Sequence, residues 1–344
     1  MRLYEHGGDV YANPGIRLDF SININPLGMP DAARRAVAKG VRDYERYPDP
    51  YCRGLTRALA AHHNVKEEML LCGNGAAELL FRLSACLRGK NALVPAPTFS
   101  EYARAVGLFG GRMRAHRLRE ENGFSLSGEI IGDIRDGEIF FLCNPNNPTG
   151  RLADPALVCR IADECAKRGT ILLVDECFMD FTEGESMTAR LETYPNMIVL
   201  RAFTKIYAMA GLRLGYMLCA DEALLSRIAE YGATWNVSGV AQAAGLAALG
   251  EEKWIGKTRS LIKTERAYMA RALTDLGVQV FLSDANFLLM KSAAKLYGLL
   301  KQKGMLVRSC GNFTGLGENF LRIGIKTHAD NEALVCAIKE EMDG

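Results

Sequence analysis

The sequence predicts an α/β protein: a mainly parallel sheet covered by helices on both faces, followed by a smaller α+β domain. Three observations lead there. Short apolar runs recur at residues 69–72, 92–95, 139–143, 171–175, 197–201 and 215–219, with the length and composition of buried strands. Stretches of helical period fill most of the gaps, as at 76–87, 155–168 and 222–232. Past about residue 237 the alternation gives way to helices and strands in no regular order.

Residues 1–30 are rich in Gly, Asn and Pro, with one extended stretch near 18–22, and read as an arm. A helix is expected over 31–41, with Pro30-Asp31 at its start. The alternating region then runs to 237 and forms the large domain. Beyond it the pattern predicts helices at 242–249 and 254–276 and strands at 278–283 and 286–291. A helix near 295–303, strands at 306–309 and 320–325, and a last helix at 330–342 complete a small domain over 238–344.

Bulk properties narrow the function. A chain of 344 residues suits about two domains and can bury a large core. Lys and Arg number 42 against 40 Asp and Glu, so the charge balance does not favour nucleic acid as a partner. Residues 1–6 are polar and lack the apolar core of a signal peptide, and no apolar run is long enough to span a membrane. The ten cysteines are scattered without a Cys-x-x-Cys pair, which predicts reduced thiols and no metal site in a cytoplasmic protein.

Four polar segments fall where ligands bind in open α/β sheets, at the carboxyl ends of predicted strands. Cys72-Gly73-Asn74-Gly75-Ala76 opens a helix whose free N–H groups suit a phosphate; alone it reads more readily as a plain tight turn. Asn144-Pro145-Asn146-Asn147-Pro148-Thr149-Gly150 is a rigid turn that aims its Asn side chains, or simply a turn. Asp175 ends an apolar strand, where a carboxylate is costly without a partner; a helix cap or a salt bridge would also account for it. Thr204-Lys205 follows another buried strand, where a desolvated lysine becomes a nucleophilic amine. Arg213, eight residues on, can grip a dianionic phosphate with its fork of donors. His62, His63 and His116 read as surface positions.

The order and spacing of these four segments resemble the fold-type I pyridoxal-phosphate enzymes, the aspartate aminotransferase superfamily, over nearly the whole chain. The resemblance implies a large domain built on a mainly parallel seven-stranded sheet. It implies pyridoxal 5′-phosphate as cofactor, with Lys205 holding it as a Schiff base and moving the proton at the substrate's Cα. Asp175 would pair with the ring nitrogen, Asn147 with the ring hydroxyl, and Phe99 would stack on the ring. Gly75, Ala76, Thr204 and Arg213 would hold its phosphate. Tyr47 would reach the phosphate in a neighbouring subunit, so a homodimer with shared active sites is expected, and Arg322 would bind the substrate carboxylate. Two positions depart from the pattern: Phe178 stands where many members carry Tyr, and Ala202 where Ser or Thr often contacts the phosphate.

Within the superfamily the chain is most similar to the histidinol-phosphate aminotransferases and the threonine-phosphate decarboxylases of cobalamin biosynthesis. Phe178, His6-Gly7-Gly8, the segment from Asp19 to Gly28 and the Arg308-Ser309-Cys310 stretch favour the decarboxylases. A phosphorylated amino-acid substrate needs a second anion site besides the cofactor cradle. His6 and Asn25 from the arm, with Arg308 and Arg322 from the small domain, are the candidates for it.

Overall fold

The fold was analysed in a computed structural model that describes residues 6–292 and 295–343. Its strands, in chain order, begin with β1 (Leu18–Asp19) in the arm. Then come β2 (Leu70–Gly73), β3 (Ala92–Ala96), β4 (Met113–Arg117), β5 (Ile139–Cys143), β6 (Ile171–Asp175), β7 (Met197–Ala202) and β8 (Gly215–Cys219). The last part of the chain holds β9 (Gln279–Val280), β10 (Phe287–Lys291), β11 (Met305–Leu306), β12 (Arg308–Ser309) and β13 (Phe320–Gly324).

Strands β2 to β8 form one seven-stranded sheet in the order β2-β8-β7-β6-β5-β3-β4. Strand β8 runs antiparallel to both its neighbours, and the remaining pairings are parallel. Every residue of β3, β5, β7 and β8 is buried, as expected where helices cover both faces. Strand β4 is the one that apolar runs did not reveal. Its sequence, Met-Arg-Ala-His-Arg, is half-exposed at the sheet edge, where only one neighbour and little burial demand apolar residues. His116 in this strand pairs with Asp133 at 2.7 Å.

The helices follow the predicted periods closely. Asp154 caps the helix Pro155–Lys167 by accepting from the Ala156 N–H, with Pro155 at the first turn. The long helix Glu252–Asp275 leads into a four-stranded antiparallel sheet, β12-β13-β10-β9. The expected strand at 278–283 shortens to β9, and that at 306–309 divides into β11 and β12. The arm does not hang free: β1 pairs in parallel with β11, so Leu18 and Asp19 lie beside Met305 and Leu306.

His63 is not a surface histidine: its Nε2 lies 2.8 Å from the Tyr216 hydroxyl, and burial, reinforced by Arg201, pulls its pKa down to about 3. No helix among the described residues is long and apolar enough to cross a membrane.

Candidate active site

The carboxyl ends of β5, β6 and β7 open into a cavity of about 460 Å³. Parallel strands end together there, so polar residues far apart in sequence meet on one floor. Lys205 lies in the one-turn helix Phe203–Ile206 immediately after β7, half-buried in the cavity wall. Burial, and next the positive charge of Arg322, lower its amine to about pKa 8. The neutral, nucleophilic form of the amine is therefore far more populated near neutral pH than in an exposed lysine.

Asp175 ends β6 on the same floor. Burial pushes its carboxyl pKa upward, and hydrogen bonds oppose that push. The Tyr102 hydroxyl donates to Oδ2 at 2.7 Å and the Cys177 N–H donates to Oδ1 at 3.0 Å. Asn147, in the turn after β5, accepts at Oδ1 from Arg322 Nη1, while Arg322 Nη2 donates to the Ser21 carbonyl at 2.6 Å. Burial lowers Arg322 to about pKa 10, and its Nε is buried without a partner. Phe99 also lines the cavity, its ring 5.6 Å from that of Tyr102 in an edge-on arrangement.

A second feature of the floor is a cradle between β2 and the helix Ala76–Cys86. Gly75 adopts φ +81°, and a Cβ placed on it would lie 2.6 Å from Arg213 Nη2. Gly215 is similarly tight: a Cβ there would approach the Ala76 nitrogen to 2.6 Å. Backbone, helix N-terminus, Thr204 and the Arg213 guanidinium thus converge on one volume that only glycine leaves open.

The far wall comes from the arm and from the last part of the chain. His6, Gly7, Ser21 and Asn23 line it together with Arg308 and Phe313. Arg308 stands 5.3 Å over the Phe313 ring and donates to Asn312 Oδ1 at 2.8 Å. Phe178 faces the cavity as well and packs edge-on against Phe287, 5.1 Å between ring centres.

Of the residues singled out in the sequence, Lys205, Ala76, Phe99, Asn147, Asp175, Thr204, Arg213, His6, Arg308 and Arg322 all line this cavity. Gly75 borders it through its contact with Arg213. Asn25 does not line it. It is buried beneath the floor, where Nδ2 donates to the Ile206 carbonyl at 2.7 Å and to Thr258 Oγ1 at 2.8 Å. Its own N–H donates to the Lys205 carbonyl at 3.1 Å, so it braces the turn that carries the lysine. The arm asparagine that faces the cavity is Asn23, whose buried Oδ1 has no hydrogen-bond partner. Which asparagine turns inward is set by how the arm crosses the floor, which no local pattern records. Glu101, Arg104 and Cys177 were likewise not foreseen. Tyr47 is 80% exposed and stacks on Trp235 at 4.5 Å, outside the cavity lining. Among the described residues no group of three or more His, Cys, Asp or Glu is placed to hold a metal ion.

Comparison with known proteins gives this site its context. The family model for aminotransferase class I and II matches residues 16–338. The chain belongs to that family. It is 37% identical to a threonine-phosphate decarboxylase of Salmonella typhimurium, over 98% of this chain and 97% of the relative. Among solved structures, a histidinol-phosphate aminotransferase from Clostridium acetobutylicum superposes with a TM-score of 0.89 at 29% identity, covering 95% of this chain and 99% of that one. A histidinol-phosphate aminotransferase from Sinorhizobium meliloti, solved in complex with pyridoxal-5′-phosphate, shares the fold with a TM-score of 0.87 at 21% identity, covering 99% and 96%.

Proposed function

We propose that this protein is a pyridoxal-phosphate enzyme that decarboxylates L-threonine O-3-phosphate to (R)-1-amino-2-propanol O-2-phosphate, a step of cobalamin biosynthesis. The observation that carries the reading is the 37% identity to the Salmonella decarboxylase across essentially both full chains. The cavity agrees with it, because it offers cationic and amide donors at two ends rather than one.

The residues present fit the cofactor. The glycine-walled cradle of Gly75, Ala76, Thr204 and Arg213 suits its phosphate, and a Cβ at Gly75 would crowd the Arg213 guanidinium. Lys205, with its amine near pKa 8, is the residue to hold it covalently. Asp175 would keep a proton on the ring nitrogen, Asn147 would meet the ring hydroxyl, and Phe99 would stack on the ring. Phe178 supplies no donor to that hydroxyl and Ala202 none to the phosphate, so Asn147 and the remaining cradle donors carry those tasks. When bound, the cofactor draws electrons out of whichever substrate Cα bond stands perpendicular to its ring.

The chain's own residues decide which bond that is. Arg322 takes the substrate carboxylate, and His6, Asn23 and Arg308 surround the substrate phosphate. A substrate held at both ends cannot rotate about Cα, so the carboxylate stays in the pose from which CO₂ departs. Lys205 Nζ then gives a proton to Cα. Walls of Phe99, Phe178 and Phe313 keep water from that carbon.

We further propose a homodimer with shared active sites. Exposed Tyr47, held by its stack on Trp235, would reach the cofactor phosphate of the neighbouring subunit.

The competing reading is a histidinol-phosphate aminotransferase, favoured by the close superposition on the Clostridium enzyme. A paired assay separates them. Cofactor-loaded protein given threonine phosphate alone is expected to release CO₂ and aminopropanol phosphate. Glutamate formed from histidinol phosphate and 2-oxoglutarate, without CO₂ from threonine phosphate, would establish the aminotransferase instead.

A further inference from the structure

An acidic side chain stands where an anionic substrate is to bind. Glu101, the first residue of the helix Glu101–Leu108, lines the cavity and is 5% exposed. A buried carboxylate facing a phosphate would repel it unless both oxygens were already engaged. They are. His6 Nε2 lies 2.9 Å from Oε1, and Arg104 Nη1 donates to Oε2 at 2.9 Å while its guanidinium sits 5.1 Å over the Phe81 ring. Two groups of the cavity lining, one from the arm and one from the large domain, are thereby tied to a single acid.

The arm is fixed just beyond His6 as well. The Gly8 N–H donates to Ser21 Oγ at 2.7 Å, and Ser21 Oγ donates to Asp19 Oδ1 at 2.5 Å. Gly7 packs so closely that a Cβ on it would lie 2.2 Å from the Ser21 carbonyl oxygen, the same carbonyl that Arg322 Nη2 holds. The arm therefore crosses the cavity mouth from Ser21, whose carbonyl Arg322 holds, to Glu101.

The geometry points to Glu101 as a positioning residue for substrate specificity: it latches the arm across the cavity and presents His6 to the substrate phosphate. This rests on the proposal that the substrate is phosphorylated. Glu101 takes no part in the chemistry at Cα. Losing it frees the arm and weakens the hold on the phosphate, while Asn23 and Arg308 still fix the substrate's pose, so the loss appears in KM rather than in kcat.

The test is a double-mutant cycle on cofactor-loaded protein with Glu101→Gln, His6→Ala and the pair, read by steady-state kinetics with threonine phosphate. Hydrogen exchange of the peptide over residues 6–12 is measured in parallel. Expected are a rise in KM of tenfold or more for each single variant, kcat within about threefold, and no further rise in the double variant. Exchange at residues 6–12 is expected to quicken in Glu101→Gln, with Glu101→Asp recovering part of both effects. Unchanged KM and exchange in Glu101→Gln, or fully additive effects in the pair, would overturn the inference. His6→Ala keeps Glu101 and its bond to Arg104 in place and removes only the arm's side of the contact, so a folding defect confined to Glu101→Gln cannot mimic a result in that arm of the cycle. If wild-type protein transaminates histidinol phosphate and leaves threonine phosphate alone, the decarboxylase reading has failed. The same cycle run on histidinol phosphate then decides the role of Glu101 by itself.

Discussion

Replacing Gly75 by Ala tests the cradle most directly. Gly75 has φ +81° and ψ 160°, a region that residues with a Cβ enter only under strain. Forcing an L-residue there costs on the order of 1–3 kcal/mol. The new methyl would start 2.6 Å from Arg213 Nη2 and 3.1 Å from Cζ. Backbone on one side leaves the guanidinium as the part that yields, so it swings off the cradle. One hydrogen bond between charged groups is worth about 1.5–3 kcal/mol, which corresponds to roughly a ten- to 150-fold loss of affinity. Apo-protein titrated with pyridoxal phosphate and followed by absorbance should therefore bind at least tenfold more weakly in Gly75→Ala. Thermal melting of the apo-protein should fall by the strain alone. A variant that binds the cofactor with wild-type affinity would refute the placement of the phosphate at Gly75 and Arg213.

Further outcomes follow from the site and its surroundings. Lys205→Ala should abolish turnover and the borohydride-reducible chromophore. In the wild type, the rate of cofactor attachment should rise through a midpoint near pH 8, because burial and then Arg322 lower the amine to about pKa 8 from an ordinary 10.5. Removing the Arg322 charge by Arg322→Gln takes away a positive neighbour, so that midpoint should move to higher pH; a fixed midpoint would show that burial alone sets it. The sign for stability is opposite to that of a salt-bridged lysine. The unfolded chain holds the Lys205 proton up to about 10.5 while the folded apo-protein loses it near 8, so this group's destabilising contribution, full below 8, is relieved as pH rises from 8 to 10.5. Tyr102→Phe deletes the 2.7 Å bond to Asp175 and leaves a buried carboxylate short of a donor. A loss of about 1–3 kcal/mol in denaturant unfolding is expected, with a further upward shift of the Asp175 pKa. Glu176→Ala breaks a buried pair with Arg201, whose guanidinium also reaches Asp180 and Ser186. Urea unfolding should show a loss of about 3 kcal/mol, since a buried cation is left with one partner fewer.

The sequence by itself was enough for the parallel sheet, because strands buried on both faces must be apolar throughout and helices between them must be amphipathic. It was enough to bring Lys205, Asp175, Asn147 and Arg213 to one cavity. The first three lie within a few residues of a strand's carboxyl end, and Arg213 precedes β8, which runs antiparallel to β7 and so begins at that same edge. Local pattern failed where burial is partial or where partners come from afar. Strand β4 carries two arginines and a histidine because an edge strand is half in water. Only the tertiary structure decided that Asn23 faces the cavity while Asn25 braces Lys205, since that depends on how the arm lies across the sheet. Only there do Glu101 and His6, 95 residues apart, become one contact, because a hydrogen bond depends on distance in space and leaves no trace in the spacing of its members.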